Sequence, residues 1–262
     1  MILNDLLNII ESVAPLERQE AWDNSGLQIG ERNADIQKVL LTTDVTESVV
    51  AEALDQHCQL ILSHHPLLFH GLKHLTGATP QERIAETAIR HHLAIYSAHT
   101  SMDTYLHGVS GRMAQVLGIS NYRILVESGD GYGLGVIGCL PQPLPVAEFL
   151  QHVQQAFNAP WIRYTLPADK TTVSTVAMCG GAGAEFLPQA IEQGADAYIS
   201  ADFKYHEMQS VAQQIIVVDM DHWVSEHFTR DIFAELLFSH VTTLISRSDA
   251  SPIKILNQKS KI

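Results

Sequence analysis

The 262-residue chain reads as an α/β protein, and three observations carry that reading. Short apolar runs bounded by turn residues alternate with segments of helical apolar period. Strand, helix and strand recur in that order, which is the signature of a parallel unit with a helical crossover. The last third of the chain then repeats the pattern of the first. With 46% hydrophobic residues the chain can bury a full core, as one large domain or as two small intertwined ones.

Ile2, Leu3, Leu6, Leu7, Ile10 and Val13 fall at helical spacing, so MILNDLLNIIESVAP is expected to be an amphipathic helix. It lacks the basic flank and small-residue cleavage site of a secretion signal. AWDNSGLQIG marks a turn, KVLLTTDV a buried strand, TESVVAEALDQH a helix capped by Thr46, and LILSHH a second strand. Helix ERIAETAIRHH, strand AIYSAHTSMD and helix GVSGRMAQVLG follow. The middle reads as strand GLGVIGCL, helix VAEFLQHVQQAF and strand WIRYTL, with SGDGYG and PQPLP as turns. The last third gives strand STVAMCGGAG with a glycine-rich exit, helix AEFLPQAIEQG, and strands AYISADFKYH and IIVVDMDHW. The tail SRSDASPIKILNQKSKI is polar, and is expected to be partly extended or ordered only at an interface.

A shift of 137 positions lays Val39 on Val176, Ala53 on Ala190, Gln56 on Gln193 and Ser63 on Ser200 without a gap. An internal duplication would explain this. So would the superposition of any two strand–helix–strand units of similar length, and spacing alone leaves both readings open.

The formal charge of −13 opposes general nucleic-acid binding and anionic membrane surfaces. No segment approaches the roughly 20 apolar residues of a membrane span. Cys58, Cys139 and Cys179 are odd in number and widely spaced, which points to neither a disulfide framework nor a thiolate zinc site, and to a reducing cytoplasm.

The chemistry concentrates where strands end, since ligand sites of parallel α/β sheets form at the strand C-termini. The second strand delivers His64 and His65, the third His99 and Asp103, and the last Asp219, Asp221 and His222, with Glu226 one helical turn later. His222 and Glu226 then share a helix face. Imidazoles with carboxylates suit a divalent zinc, iron, manganese or nickel ion. Each piece also has a plain structural reading: adjacent histidines on a strand point to opposite sides, an H-x-x-x-E pair is commonly a solvated face, and Asp103 could cap the following helix. Five candidate ligands converging on one sheet edge favour a metal site, and five exceed the usual three of a catalytic zinc, which suggests two ions. Gly181 and Gly183 in the CGGAG loop could offer N–H groups to a phosphate, or could simply make a tight turn. Lys204 and His206 are candidate substrate contacts or ordinary loop residues. His57, His91, His92 and His152 fall in helical segments and read as surface residues.

AWDNSGLQIG, LILSHHPLLF, YSAHTSMD, CGGAG, SADFKYHE and DHWVSE, in this order, resemble the GTP cyclohydrolase 1 type 2 homologs, the NGG-interacting-factor-3-like family. The resemblance implies a dinuclear metal centre held by His64, His65, Asp103, His222 and Glu226. It also implies two intertwined, structurally similar α/β domains with mixed, mainly parallel sheets: residues 1–125 with the paired histidines and Asp103, residues 126–262 with His222 and Glu226. A ring-shaped homohexamer is implied as well. Asp221 and Trp223 stand where the family usually has glycine and a tyrosine-like residue, Ala201 where it often has glycine, and Val136 and Cys139 where it has an arginine and a glutamate. These departures bear on substrate recognition and leave all five metal positions intact.

The expected activity is a metal-dependent hydrolase opening the imidazole ring of a purine nucleotide such as GTP, with two divalent ions as cofactors. His99 is the candidate proton shuttle, and Glu226 or Asp103 the candidate bridge between the ions. A two-metal phosphoesterase and a metal-binding regulatory or adaptor protein are the alternatives.

Overall fold

The computed structural model describes residues 1–256. The chain begins with α1 (Leu3–Glu11), β1 (Gly26–Ile29), β2 (Lys38–Thr42), α2 (Glu47–Asp55), β3 (Leu60–Ser63), α3 (Pro80–Arg90), β4 (Ala94–Ser97) and the single turn α4 (Thr100–Asp103). It continues with α5 (Val109–Val116), β5 (Tyr122–Gly129), β6 (Tyr132–Pro145), α6 (Val146–Ala156), β7 (Ile162–Tyr164) and β8 (Thr172–Ala182). Then come α7 (Leu187–Glu192), β9 (Ala197–Ala201), α8 (Tyr205–Val211), β10 (Ile216–Met220), α9 (His222–Glu226), α10 (Thr229–Leu237) and β11 (Thr242–Ile245).

Two compact units share these elements, and each is discontinuous in sequence. One comprises Met1–Tyr105 and His227–Ala250; the other comprises Leu106–Glu226 and, among the described residues, 251–256. The boundary expected at residues 125/126 falls inside β5, which pairs with β6 as a hairpin through Val126 and Leu134. Residues 227–250 belong with the first unit, because β11 runs parallel to β2 at the edge of its sheet.

The first unit holds a five-stranded sheet in the order β1-β4-β3-β2-β11, parallel except for the antiparallel edge β1. Helices cover both faces, so β2, β3 and β4 read as continuous apolar runs. Val39, Leu41, Leu60, Leu62 and Tyr96 face α1 and α10, which present Leu3, Leu6, Leu7, Phe233 and Leu237. The intervening Leu40, Ile61 and Ile95 meet Val49 and Ala53 of α2 and Ile84 and Ala88 of α3. Each buried Leu, Ile or Phe contributes about 1.5–3 kcal/mol, which secures the backbone from which the site residues project.

The second unit holds a six-stranded sheet, β5-β6-β8-β9-β10-β7. Its central β8, β9 and β10 are parallel, while the other three pairings are antiparallel. The 137-residue shift reappears here as shared register. Val39 pairs with Leu60 and Leu41 with Leu62 in the first sheet; Val176 pairs with Ala197 and Met178 with Ile199 in the second.

Several segments differ from the sequence reading. PQPLP continues β6 past an irregularity and pairs Leu144 with Val173, rather than forming a turn. The SADFKYH stretch leaves the strand at Ala201 through Asp202, whose φ is 58°, and starts α8. Part of the polar tail is fixed within the first unit: Glu52 accepts hydrogen bonds from Ser246 Oγ and from the N–H groups of Arg247 and Ser248, and Asp249 accepts one from Thr43 N at 2.7 Å. Residues 257–262 of that tail lie outside the described residues. Among the described residues no helix is long and apolar enough to cross a membrane.

Candidate metal centre

In the first unit β2, β3 and β4 end side by side and deliver a histidine cluster. His64 is fully buried, and its Nδ1 lies 3.1 Å from the carbonyl of Ala98, the residue after β4. That contact places the proton on Nδ1 and leaves Nε2 with its lone pair, 3.8 Å from Asp103 Oδ1. His65 Nδ1 lies 2.8 Å from Asp44 Oδ1, at the exit of β2. His99 Nδ1 lies 2.8 Å from Oδ1 of the buried Asp23. Each ring therefore has one nitrogen engaged by an acceptor, which fixes the tautomer and the ring orientation. The three ring centroids are 5.0, 5.2 and 5.4 Å apart, and one nitrogen from each ring falls within 4.8 Å of the others, so the group could hold a metal ion.

Asp23 shows how firmly one of these orienting groups is held. Burial alone would push its carboxyl up, yet hydrogen bonds from His99, Thr100 and Ser25 hold it well below the usual carboxylate range. Thr100 donates to it from both N and Oγ1, and Ser25 Oγ donates at 2.8 Å while accepting from His99 N. Asp103 sits at the end of α4, whose N–H groups at Met102 and Asp103 bond the His99 carbonyl. The aspartate caps no helix, because α5 begins after Gly108.

In the second unit, α9 starts immediately after β10 and carries His222 and Glu226 on one face, with Nε2 and Oε2 2.9 Å apart. His222 Nδ1 lies 2.6 Å from Asp202 Oδ2. Burial pushes the His222 pKa down, but hydrogen bonds to Asp202 and Glu226 outweigh it and raise the value to about 11. The hydrogen bond from His222 in turn lowers Asp202. A protonated ring donating to two carboxylates is the arrangement a divalent cation replaces, since the same atoms can then act as ligands. Two ligand atoms roughly 2.0–2.2 Å from one tetrahedral zinc ion would stand about 3.3–3.6 Å apart, so the 2.9 Å pair seen here would open by about half an ångström to take one.

The glycine loop supports this pair sterically. Gly181 has φ +63°, and a Cβ there would run into Glu226 Oε1. Its N–H donates to Ser225 Oγ, while Gly180 N donates to Ser110 Oγ and Gly183 N to Ser200 Oγ. The donors expected to cradle a phosphate are thus spent within the protein. Lys204 and His206 are exposed at the start of α8, Lys204 pairing with Glu207 at 3.6 Å. Asp219 binds Arg163 and accepts from Phe203 N, and Asp221 accepts from Ser251 Oγ, so both serve local structure. His57, His91 and His92 are exposed, and His152 bonds the Leu117 carbonyl. Sequence reasoning missed Asp23, Asp44 and Asp202; the available signal was that Asp44 and Asp202 fall toward the ends of segments read as strands, whereas Asp23 lies in a segment read as a turn.

Comparison with known proteins bears on the whole chain. It is 33% identical over 240 residues to a GTP cyclohydrolase 1 type 2 homolog of Streptococcus pneumoniae, covering 90% of each. A protein of the same name from Clostridium perfringens is 30% identical over 263 residues, covering 98% of this chain and 100% of the relative. The fold is also that of a Bacillus cereus protein related to NIF3, with a TM-score of 0.89 at 22% identity over 98% of this chain and 99% of that one. The Duf34/NIF3 family profile matches residues 1–252, and the chain belongs to that family, Duf34/NIF3 (NGG1p interacting factor 3).

Proposed function

We propose that the protein is a metal-dependent hydrolase that holds two divalent ions through His64, His65, Asp103, His222 and Glu226, and opens the ring of a purine nucleotide with water. The relatives named GTP cyclohydrolase 1 type 2 homolog suggest the substrate class. The observation that carries the reading is the gathering of His64, His65 and His99, each with one nitrogen already engaged by Ala98 O, Asp44 or Asp23. That donor chemistry fits zinc, iron, manganese or nickel.

Such ions, when bound, would supply Lewis acidity and lower the pKa of a bound water. The protein's own groups divide the remaining work. His64 and His65 present oriented imidazole nitrogens, and the carboxylates of Asp103 and Glu226 are the candidates to bridge. His99, with its Nδ1 proton committed to Asp23, can take up and return a proton at Nε2. The reading includes a homohexamer in a reducing cytoplasm.

The test is metal content per chain together with product analysis on GTP. About two ions per chain and formate release are expected. Fewer than two ions in protein purified without chelator, with His222→Ala unchanged, removes the dinuclear reading. Phosphate release in place of formate points to a phosphoesterase, and metal retention without turnover but with specific partner capture points to an adaptor. His99→Ala is expected to keep full metal content and lose turnover; loss of metal instead would make His99 a ligand.

A further inference from the structure

Beside the histidine cluster, two large aromatic side chains of the first unit are held exposed. Trp22 is 58% and Phe69 is 40% accessible, which is unusual for rings of this size. Their centroids are 5.9 Å apart with planes tilted by 54°, and both abut His99, at 5.9 Å from Trp22 and 6.4 Å from Phe69. Trp22, Phe69 and His99 thus form a cluster of three rings, each abutting the other two.

The backbone beside both aromatic residues is pinned by one short segment. Asp23 and Ser25 bind His99, Asn24 Nδ2 donates to the Leu68 carbonyl at 2.7 Å, and Gln28 Oε1 accepts from Leu68 N at 3.1 Å. Gln28 Nε2 closes back on the Asn24 carbonyl at 2.6 Å. Three consecutive polar side chains, Asp23, Asn24 and Ser25, together with Gln28 therefore fix the residue that follows Trp22 and the one that precedes Phe69. Exposed apolar surface costs solvation, and positioning it rigidly next to oriented catalytic groups favours a ligand with a flat apolar face.

We infer that Trp22 and Phe69 are ring-binding residues: they receive a planar heteroaromatic ring of the substrate and hold it against His99. The inference rests on the proposed site but not on the proposed reaction, since ring binding is measurable without turnover. His99 Nε2, its other nitrogen being held by Asp23, is placed to contact a heteroatom on the ring edge.

The test uses the metal-loaded full chain and equilibrium dialysis of GTP, ATP and UTP, with inorganic triphosphate as the ring-free probe. Trp22→Ala and Phe69→Ala are expected to weaken the best-bound nucleotide roughly 5- to 100-fold and leave inorganic triphosphate unchanged. Trp22→Phe should restore most of the loss. Equal weakening of nucleotide and inorganic triphosphate overturns the inference, as does nucleotide affinity unchanged in both variants. It is also overturned if no nucleotide binds more tightly than inorganic triphosphate, or if the variants alter only the mass of the assembly. Formate assays on the same samples separate the two proposals: ring binding without formate release defeats the reaction alone, and formate release with unaltered KM in both alanine variants defeats the ring-binding role alone.

Discussion

At the scale of single residues, the candidate centre depends on carboxylates that touch imidazoles rather than on the imidazoles alone. Asp44 orients His65, Asp23 orients His99, and Asp202 orients His222. Asp44→Asn keeps the size of the side chain but weakens that orientation, and is expected to lower metal affinity or turnover about 10- to 100-fold with an unchanged circular dichroism spectrum. Retention of full metal affinity and activity would show that Asp44 is dispensable. Gly181→Ala tests the opposite kind of requirement, where the absence of a side chain matters. Its positive φ and the displacement forced on Glu226 should cost about 1–3 kcal/mol in urea denaturation and reduce bound metal. The ligand candidates were legible in the sequence because strand ends could be read from apolar runs. Their orienting partners were not: Asp23 falls in a segment read as a turn and Asp44 and Asp202 in segments read as strands, and only the fold shows that Asp23 meets a histidine 76 positions away.

Among the elements, legibility followed the strength of the apolar period. α1, β2, α2, β3, α3 and α6 were recovered, each carrying buried residues at the spacing its structure demands. β1, β5, α8, α10 and β11 were not, for differing reasons. β1 is a four-residue edge that begins at Gly26 with φ +121° and exists through its pairing with β4. α8 has no buried residue at all, so no stripe announces it. One helix start was legible, the cap Thr46, whereas the cap Thr79 lies ahead of the segment read as a helix; they accept from Val49 N and Glu82 N, each at 3.2 Å. At α3 the exchange is reciprocal, because Glu82 accepts from Thr76 N and Oγ1, Ala78 N and Thr79 Oγ1. The Thr76 backbone hydrogen bond is the largest cause that lowers the Glu82 pKa, from 4.5 to about 2. A depressed carboxyl stabilises the fold above the unfolded value and ceases to do so as pH falls through the folded one. Glu82→Gln should therefore be less stable than the parent at pH 6, with the difference shrinking toward pH 3 in urea titrations. A pH-independent difference would contradict the assignment.

For the whole molecule, the shared register of the two sheets supports the duplication that four identities could only suggest. Sequence spacing could not separate a duplication from two unrelated strand–helix–strand units, because identity of residues and identity of pairing are different quantities. Nor did it anticipate that residues 227–250 group with the first unit. If the chain forms the ring implied by its resemblance, light scattering should give six times the 28.9 kDa chain mass, independent of concentration across the micromolar range. A monomer mass would exclude it. The late arrival of β11 also sets an order for biosynthesis. β2 leaves the ribosome with one edge bare, and the strand that covers it follows about 200 residues later, some 10–40 s at roughly 5–20 residues per second. During that interval Val39, Leu40 and Leu41 form an uncovered apolar edge, so the nascent chain is most vulnerable to misassociation then. Truncation before Thr242 leaves that exposure permanent, which makes β11 a guardian of β2.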